Sequence, residues 1–250
     1  MMITLISPAK TLDLNTPEYT TSTTPVFQKD ILELVGIMKK KSASSIKALM
    51  GVSDNLAELN EERFKSFEKE FTPDNSKQAL LAFKGDVYQQ LSVDQYSEKE
   101  FEFAQEHVRI LSGLYGLLRP LDLIQPYRLE MGIKLENKKG KNLYEFWGSK
   151  IAKALNDTGA DTLVNLASQE YFKSIDQKSL QPKIITPNFK EYKDGKYKIV
   201  GIFAKKARGM MTNYIIENKI DLPDKLKIFN EEGYEYSEKL STEDEYVFIR

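Results

Sequence analysis

The sequence predicts a mixed α/β fold, in which helices surround a β-sheet core and a basic cleft. The apolar run of residues 2–6 is typical of a buried strand. Apolar residues recur at helical spacing through much of residues 29–67, and short strand-like runs return after residue 160. With 250 residues, 41% of them hydrophobic, the chain is long enough for a substantial core. We therefore expect a single domain spanning residues 1–250.

Helical patterns predominate in the first half of the chain. A helix over residues 29–40 is predicted by four apolar residues on one face, Ile31, Leu34, Val35 and Met38. Further helices are predicted at residues 42–50 and 56–67. Thr72 followed by Pro73 is typical of a helix start, with Thr as the cap and Pro in the first helical position.

A capping-box spacing marks another helix start. Ser97 and Glu100 have this spacing, and they precede a helical pattern that runs to Leu111. Residues 15–25 are polar and bounded by proline, which predicts a loop. The helical segment 28–113 is a candidate subdomain inserted after the first strand.

The second half is predicted to be richer in strands. Residues 161–166 and 183–186 have strand character, and residues 189–192 and 197–203 flank Lys193-Asp194-Gly195-Lys196 as in a hairpin. The next segment, residues 210–217, is predicted to be helical. A final pair of strands is predicted at residues 233–236 and 246–249.

The composition excludes several classes of site. The chain has no Cys and a single His, His107, which excludes disulfides, iron–sulfur clusters, thiolate metal sites and sites with two His ligands. We expect no metal and no cofactor. The apolar runs are too short to span a membrane, and no basic region precedes the first one, so we expect a cytoplasmic protein without a membrane partner.

The charge is nearly balanced overall but unevenly distributed. The formal net charge is −1, which argues against broad affinity for nucleic acid. Residues 190–219, however, carry eight Lys or Arg and three Asp or Glu, whereas residues 221–250 carry four and nine. This asymmetry allows a local anion site, although such an asymmetry usually reflects solvated faces without a partner.

Basic residues follow several predicted strands, and two more lie in the segment 111–132, which Gly and Pro punctuate. Ligands of α/β proteins gather beyond the carboxyl ends of strands, where Arg and Lys can bind phosphate. We therefore predict one anion-binding cleft. Its candidate side chains are Lys10, Lys84, Arg119, Arg128, Lys205, Lys206 and Arg208.

Carboxylates accompany these cations in the sequence. The weak catalytic candidates are Asp86, Asp122, Glu130 and Glu170. They could act as general acids or bases or bind Mg²⁺, or they could form ion pairs that orient the cations, and we favour the ion pairs. The sequence contains no phosphate-binding P-loop, nucleophile elbow or dinucleotide fingerprint.

Residues 49–57 resemble a helix-hairpin-helix motif, which binds duplex DNA by aiming backbone N–H groups at a phosphate. Gly51 occupies the position of the first glycine, but Ser53 replaces the second, and Asp54 is unfavourable beside a phosphate. Lys47 could supply compensating charge. Many helical hairpins with a glycine in the turn bind nothing, so the motif alone does not decide the function.

Several long strings, taken together, resemble the YaaA peroxide-stress family from Met1 to about Tyr246. They are SPAKTLD (7–13), AFKGDVY (82–88), SGLYGLLRPLDL (112–123), QPYRLEMG (125–132), FWG (146–148), NLAS (165–168), EYFK (170–173) and AKKARG (204–209). The resemblance implies a mixed fold around a basic cleft, DNA as a partner bound without sequence preference, and a role in limiting damage from unincorporated iron. Because the chain has no Cys and one His, we expect the effect on iron to be indirect or to act at DNA.

Two other functions remain open at the level of sequence. The basic cleft could belong to an enzyme acting on a nucleotide, nucleoside or damaged base by glycosyl or phosphoryl chemistry. Alternatively, the motifs could preserve a fold whose charged segments bind another protein.

Overall fold

The computed structural model describes residues 1–15 and 19–250, so part of the predicted loop 15–25 lies outside the described residues. The helices are α1 (Gln28–Met38), α2 (Ala43–Met50), α3 (Asp54–Ser66), α4 (Ala79–Ala82), α5 (Glu98–His107), α6 (Leu143–Trp147), α7 (Lys150–Asn156), α8 (Gln169–Phe172) and α9 (Gly201–Glu217). The strands are β1 (Met2–Ile6), β2 (Thr11–Leu12), β3 (Lys77–Gln78), β4 (Phe83–Lys84), β5 (Val108–Ser112), β6 (Gly116–Leu118), β7 (Leu123–Ile124), β8 (Thr162–Asn165), β9 (Lys183–Lys193), β10 (Lys196–Lys198), β11 (Glu235–Tyr236) and β12 (Glu245–Ile249). The predicted mixed α/β fold is confirmed.

The central sheet has the strand order β11-β12-β9-β8-β1-β5-β6, and β10 pairs with the far end of β9. Strands β12, β9, β8, β1 and β5 are parallel, whereas β11, β6 and β10 run antiparallel to their neighbours. In the centre, Thr4 of β1 pairs with Val108 on one side and Val164 on the other. The carboxyl ends of β1 and β8 therefore meet at one edge of the sheet.

Burial explains why the first strand is apolar apart from Thr4. Every residue of β1 is buried, as expected for a central parallel strand that is covered on both faces. Aromatic residues fill the layers beside the sheet, and Trp147, Tyr115 and Phe189 are almost completely buried. None of the helices in the described ranges is long and apolar enough to cross a membrane.

Most predicted elements of the first half are confirmed. Helices α1, α2 and α3 occupy the three segments in which apolar spacing predicted them. The capping box also forms at the start of α5, where the backbone N–H of Ser97 donates to the Glu100 carboxylate at 3.0 Å. The predicted helical segment 28–113 runs into β5, which belongs to the central sheet.

Three predictions of secondary structure are wrong. The helix predicted to run to Leu111 ends at His107, and Val108–Ser112 form β5 because this segment pairs with β1. Thr72 and Pro73 begin a turn and no helix, and the backbone N–H of Thr72 donates to Asn75 Oδ1 at 3.0 Å. The predicted strand 197–203 ends at Lys198, and α9 begins at Gly201. The basic residues 205–208 therefore lie within a helix, where the sequence indicated a loop between a strand and a helix. The hairpin itself and the final strand pair of β11 and β12 are confirmed.

Candidate anion-binding cleft

A cleft of about 320 Å³ lies beyond the carboxyl ends of β1 and β8. Buried Leu166 and Tyr171 form part of its wall, and four cationic and three acidic side chains line it. The charged lining residues are Lys10, Lys84, Lys205, Arg208, Asp86, Glu130 and Glu170. The structure thus brings together four of the seven basic residues and three of the four acidic residues that the sequence indicated.

Ser7 joins the segments that form the floor of the cleft. The backbone N–H of Ser168 donates to Ser7 Oγ at 2.8 Å, which ties the end of β8 to the end of β1. The Tyr88 hydroxyl donates to the carbonyl oxygen of Ser7 at 2.9 Å, which adds the loop after β4. Ser7 lies in the motif SPAKTLD, and the sequence alone did not predict a role for it. Its position directly after a buried strand is the sequence feature that could have indicated a role at the cleft.

Helix α9 forms one wall of the cleft and packs tightly on the loop after β4. A Cβ atom at Gly209 would lie 2.2 Å from the carbonyl oxygen of Val87, so only glycine allows this approach. Nearby, Asn213 Oδ1 accepts the backbone N–H of Ser92 at 2.9 Å. Because residues three apart share a face of a helix, this packing directs both Lys205 and Arg208 towards the cleft.

Three cations of the cleft have no protein partner. Within residues 1–15 and 19–250, the side chains of Lys84, Lys205 and Arg208 make no hydrogen bond or ion pair. Arg208 is mostly buried, and its burial lowers the pKa of the guanidinium. A buried charge without a partner is costly, so an anion bound here would gain charge-assisted contacts and relieve that cost.

Glu130 holds two other cations beside the cleft. Its carboxylate lies 2.7 Å from Lys10 Nζ and 2.9 Å from Arg128 Nη2. Arg128 does not line the cleft, and its buried Nε has no hydrogen-bond partner among the described residues. This arrangement matches the ion-pair interpretation of Glu130, and it leaves Lys10 more than half exposed.

The other two acidic residues of the cleft differ in their partners. Glu170 Oε1 accepts the backbone N–H of Gly132 at 2.9 Å, which fixes the segment that carries Glu130. Asp86 has no hydrogen-bond or ion-pair partner in the described parts of the chain. Asp86 is therefore the carboxylate that is free to contact a ligand.

The structure does not bring Arg119 and Asp122 to the cleft. Asp122 is fully buried elsewhere, and it accepts the Arg119 Nε–H at 3.1 Å and the Thr23 hydroxyl at 2.6 Å. Arg119 also donates to the carbonyl oxygen of Thr24 at 3.1 Å. The pair anchors the segment 23–24 to the loop before β7. Lys206 does not line the cleft either, although Lys205 beside it does.

Two buried tyrosines, Tyr88 and Tyr171, line the cleft, and Tyr127 is buried without lining it. Burial raises the pKa of Tyr88, Tyr127 and Tyr171. The Tyr127 hydroxyl lies 2.7 Å from Ser112 Oγ in the interior. All three side chains are buried, so they contribute to the packing around the cleft.

The predicted helix-hairpin-helix segment is a tight helical hairpin outside the cleft. Helix α2 ends at Met50, its C-cap residue Gly51 has a left-handed φ of 64°, and Ser53 is the N-cap residue of α3. Lys47, the expected source of compensating charge, lies 2.8 Å from the carboxylate of Asp54. This ion pair offsets the charge of Asp54 at the turn.

Together, the parallel sheet and the cleft at its carboxyl edge define an α/β protein with a site of mixed charge and unpaired cations. The family model described as peroxide stress protein YaaA matches residues 2–240. Because this match covers nearly the whole chain, the protein belongs to the YaaA peroxide stress family. The resemblance indicated by the sequence motifs is confirmed.

Proposed function

We propose that this peroxide stress protein binds DNA, and that its cleft holds a backbone phosphate. The observation that carries the proposal is the convergence on one cavity of Lys84, Lys205 and Arg208, whose side chains have no partner among the described residues. Contacts to phosphate give binding without sequence preference, which suits a protein that protects DNA generally. Membership in the family supports the stress role.

The helical hairpin is the second proposed DNA contact. The side chain of Ser53 makes no capping hydrogen bond to α3. The first backbone N–H groups of α3 therefore do not donate to the Ser53 hydroxyl. A phosphate could accept from these groups and from the backbone around Gly51, which is exposed. Two separate contacts would let the protein hold a duplex despite a net charge of −1.

The proposal extends to iron and to location. We propose that the protein acts in the cytoplasm and limits the damage from unincorporated iron at the DNA that it binds. The absence of Cys and the single His in the sequence favour this route over direct storage of iron.

Binding of labelled duplex DNA across a salt series tests the proposal. The variant Lys205→Ala/Arg208→Ala removes two cations of the cleft, and Lys206→Ala is the matched control because Lys206 lies on the same helix outside the cleft. The salt slope is the slope of the logarithm of the binding constant against the logarithm of the salt concentration. Each lost phosphate contact should reduce its magnitude by about 0.9. We expect a clear loss for the double variant and little change for Lys206→Ala.

Two results would refute DNA binding as proposed. One is failure of the wild-type protein to bind duplex at low salt. The other is equal loss of affinity in the double variant and in Lys206→Ala, because the cleft would then have no special role. Gly51→Val, which places a branched side chain at a positive φ, tests the hairpin separately.

One observation favours a second candidate function, an enzyme acting on a nucleotide, nucleoside or damaged base. The cleft is of the size of a small-molecule site, and it is lined by Lys84 and by Asp86, whose carboxylate has no partner in the described part of the chain. Chromatography of nucleosides, nucleotides and damaged DNA after incubation with the protein tests for turnover. Product that disappears with Asp86→Asn would establish catalysis, and no product from any substrate would remove this candidate.

A further inference from the structure

A two-stranded arm projects beyond the edge of the sheet at which the cleft lies. Strand β8 ends at Asn165, one residue after the pairing of Val164 with Ile185 of β9. Strand β9 nevertheless continues to Lys193, and β10 folds back along its last residues. At about 3.3 Å per residue, the arm extends roughly 20 Å past the end of β8. We define the arm as residues 190–198.

The arm carries an exposed pair of tyrosines. Tyr192 and Tyr197 are direct cross-strand partners, so their side chains lie on the same face, with ring centroids 5.2 Å apart. They are 63% and 40% exposed. Ile199 and Ile202, which follow along the chain, are each 55% exposed. Exposed apolar side chains on the arm and directly after it are typical of a binding site.

The charge around the tyrosines favours an anionic partner. The acidic residues of the arm are already paired, Glu191 with Arg250 at 3.0 Å and Asp194 with Lys198 at 2.9 Å. The remaining lysines have no partner among the described residues. They are Lys190, Lys193 and Lys196. A second copy of the chain that paired along the edge of β10 would place lysines opposite lysines. The repulsion between these like charges disfavours a second copy as the partner of the arm.

The surface of the arm continues towards the cleft along α9. Ile202, Lys205 and Arg208 are spaced three residues apart, so they follow one side of the helix. Lys205 and Arg208 line the cleft, whereas Ile202 lies one turn closer to the arm. One side of α9 therefore connects the cleft with the segment that follows the arm.

We propose that the arm binds unpaired bases of DNA adjoining a duplex. The rings of Tyr192 and Tyr197 stack with bases, and the unpaired lysines contact the neighbouring phosphates. Every base has an aromatic face, so such a platform needs no particular sequence. This inference rests on the proposed function, in which the cleft binds the backbone of the same DNA molecule.

The test compares a fully paired duplex with the same duplex carrying a single-stranded overhang, measured by fluorescence anisotropy. Tyr192→Ala/Tyr197→Ala removes both rings, and Tyr192→Phe/Tyr197→Phe is the matched control that keeps them. Stacking of a base contributes about 5- to 150-fold in affinity. We expect the alanine variant to lose at least about 5-fold for the overhang substrate but little for the duplex. The phenylalanine variant should bind both DNAs like the wild type.

A 2-aminopurine base in the overhang gives a second readout, because stacking on tyrosine quenches its fluorescence. Quenching by the wild type that is lost in the alanine variant supports the arm as the platform. If the alanine variant binds and quenches like the wild type while duplex binding persists, the inference fails and the proposed function stands. If the wild type binds neither DNA, both fail. A wild-type dimer that Tyr192→Ala/Tyr197→Ala dissociates in light scattering would also overturn the inference, since the rings would then face a second copy.

Discussion

Lys10 Nζ lies 2.7 Å from Glu130 Oε2, at the mouth of the cleft between two segments that are 120 residues apart in sequence. The other oxygen of the same carboxylate lies 2.9 Å from Arg128. One acidic side chain thus offsets two positive charges at the place where we propose that a phosphate binds.

Replacing Glu130 with Gln should strengthen DNA binding. The substitution removes a negative charge beside the cleft and leaves Lys10 and Arg128 available to a phosphate. Binding should then release about one more counterion, so the salt slope should steepen by about one. Glu243→Gln is a suitable control, because Glu243 is also paired with a lysine, Lys183, but lies outside the cleft. Unchanged or weaker binding by Glu130→Gln would show that Glu130 does not restrain the cations.

Substitution of Gly209 should destabilise the protein and disturb the wall of the cleft. The new Cβ of Gly209→Ala would lie 2.2 Å from the Val87 carbonyl oxygen, so α9 or the loop must move. We expect a loss of about 1–3 kcal/mol in the free energy of unfolding by urea. Gly201→Ala on the same helix meets no atom within 4 Å and should not destabilise. Equal stability of the two variants would contradict the close packing.

The Arg119–Asp122 pair should contribute to the stability of the fold and not to the affinity for DNA. Arg119→Ala leaves the buried carboxylate of Asp122 without its guanidinium partner, at a cost of about 1–3 kcal/mol. Because Arg119 does not line the cleft, the affinity of the folded variant for duplex should stay within about twofold of the wild type, a difference below about 0.5 kcal/mol. A large loss of affinity without loss of stability would instead assign Arg119 to the DNA contact.

The start of α5 should make folding sensitive to acid. The side-chain hydrogen bond from Lys219, together with those from Ser97, lowers the pKa of Glu100 from 4.5 to about 2. A carboxylate whose pKa falls on folding stabilises the native state above pH 4.5, and that contribution disappears as the pH falls towards 2. Thermal unfolding of Glu100→Gln should show a lower Tm than the wild type at pH 7. The two Tm values should converge near pH 2, and a gap that is constant with pH would refute the assignment.

Local sequence patterns predicted most of the elements that border the site. The first strand and the capping box of Ser97 and Glu100 depend on neighbouring residues alone, so they could be identified without tertiary information. The structure of the segment 199–203 could not be identified in this way. Its Ile, Val and Phe residues favour a strand, but α9 begins within it, where packing against the loop after β4 requires a helix at Gly209.

The candidate site was only partly predictable for a similar reason. Strand ends indicated that basic residues would gather, yet the bond between Ser168 and Ser7 joins residues 161 positions apart, and no local pattern encodes it. Arg119 illustrates the opposite error. Its basic character placed it among the cleft residues, whereas its contact with Asp122, three residues later, holds it elsewhere.

The charged residues of the cleft come from segments spread between Lys10 and Arg208. During synthesis on the ribosome the amino-terminal part of a chain emerges first, so Lys10 and Lys84 leave the ribosome long before α9 exists. An incomplete chain consequently lacks two of the three unpartnered cations, Lys205 and Arg208. The proposed phosphate site of the cleft would therefore be complete only after α9 has been synthesised and packed against the loop after β4.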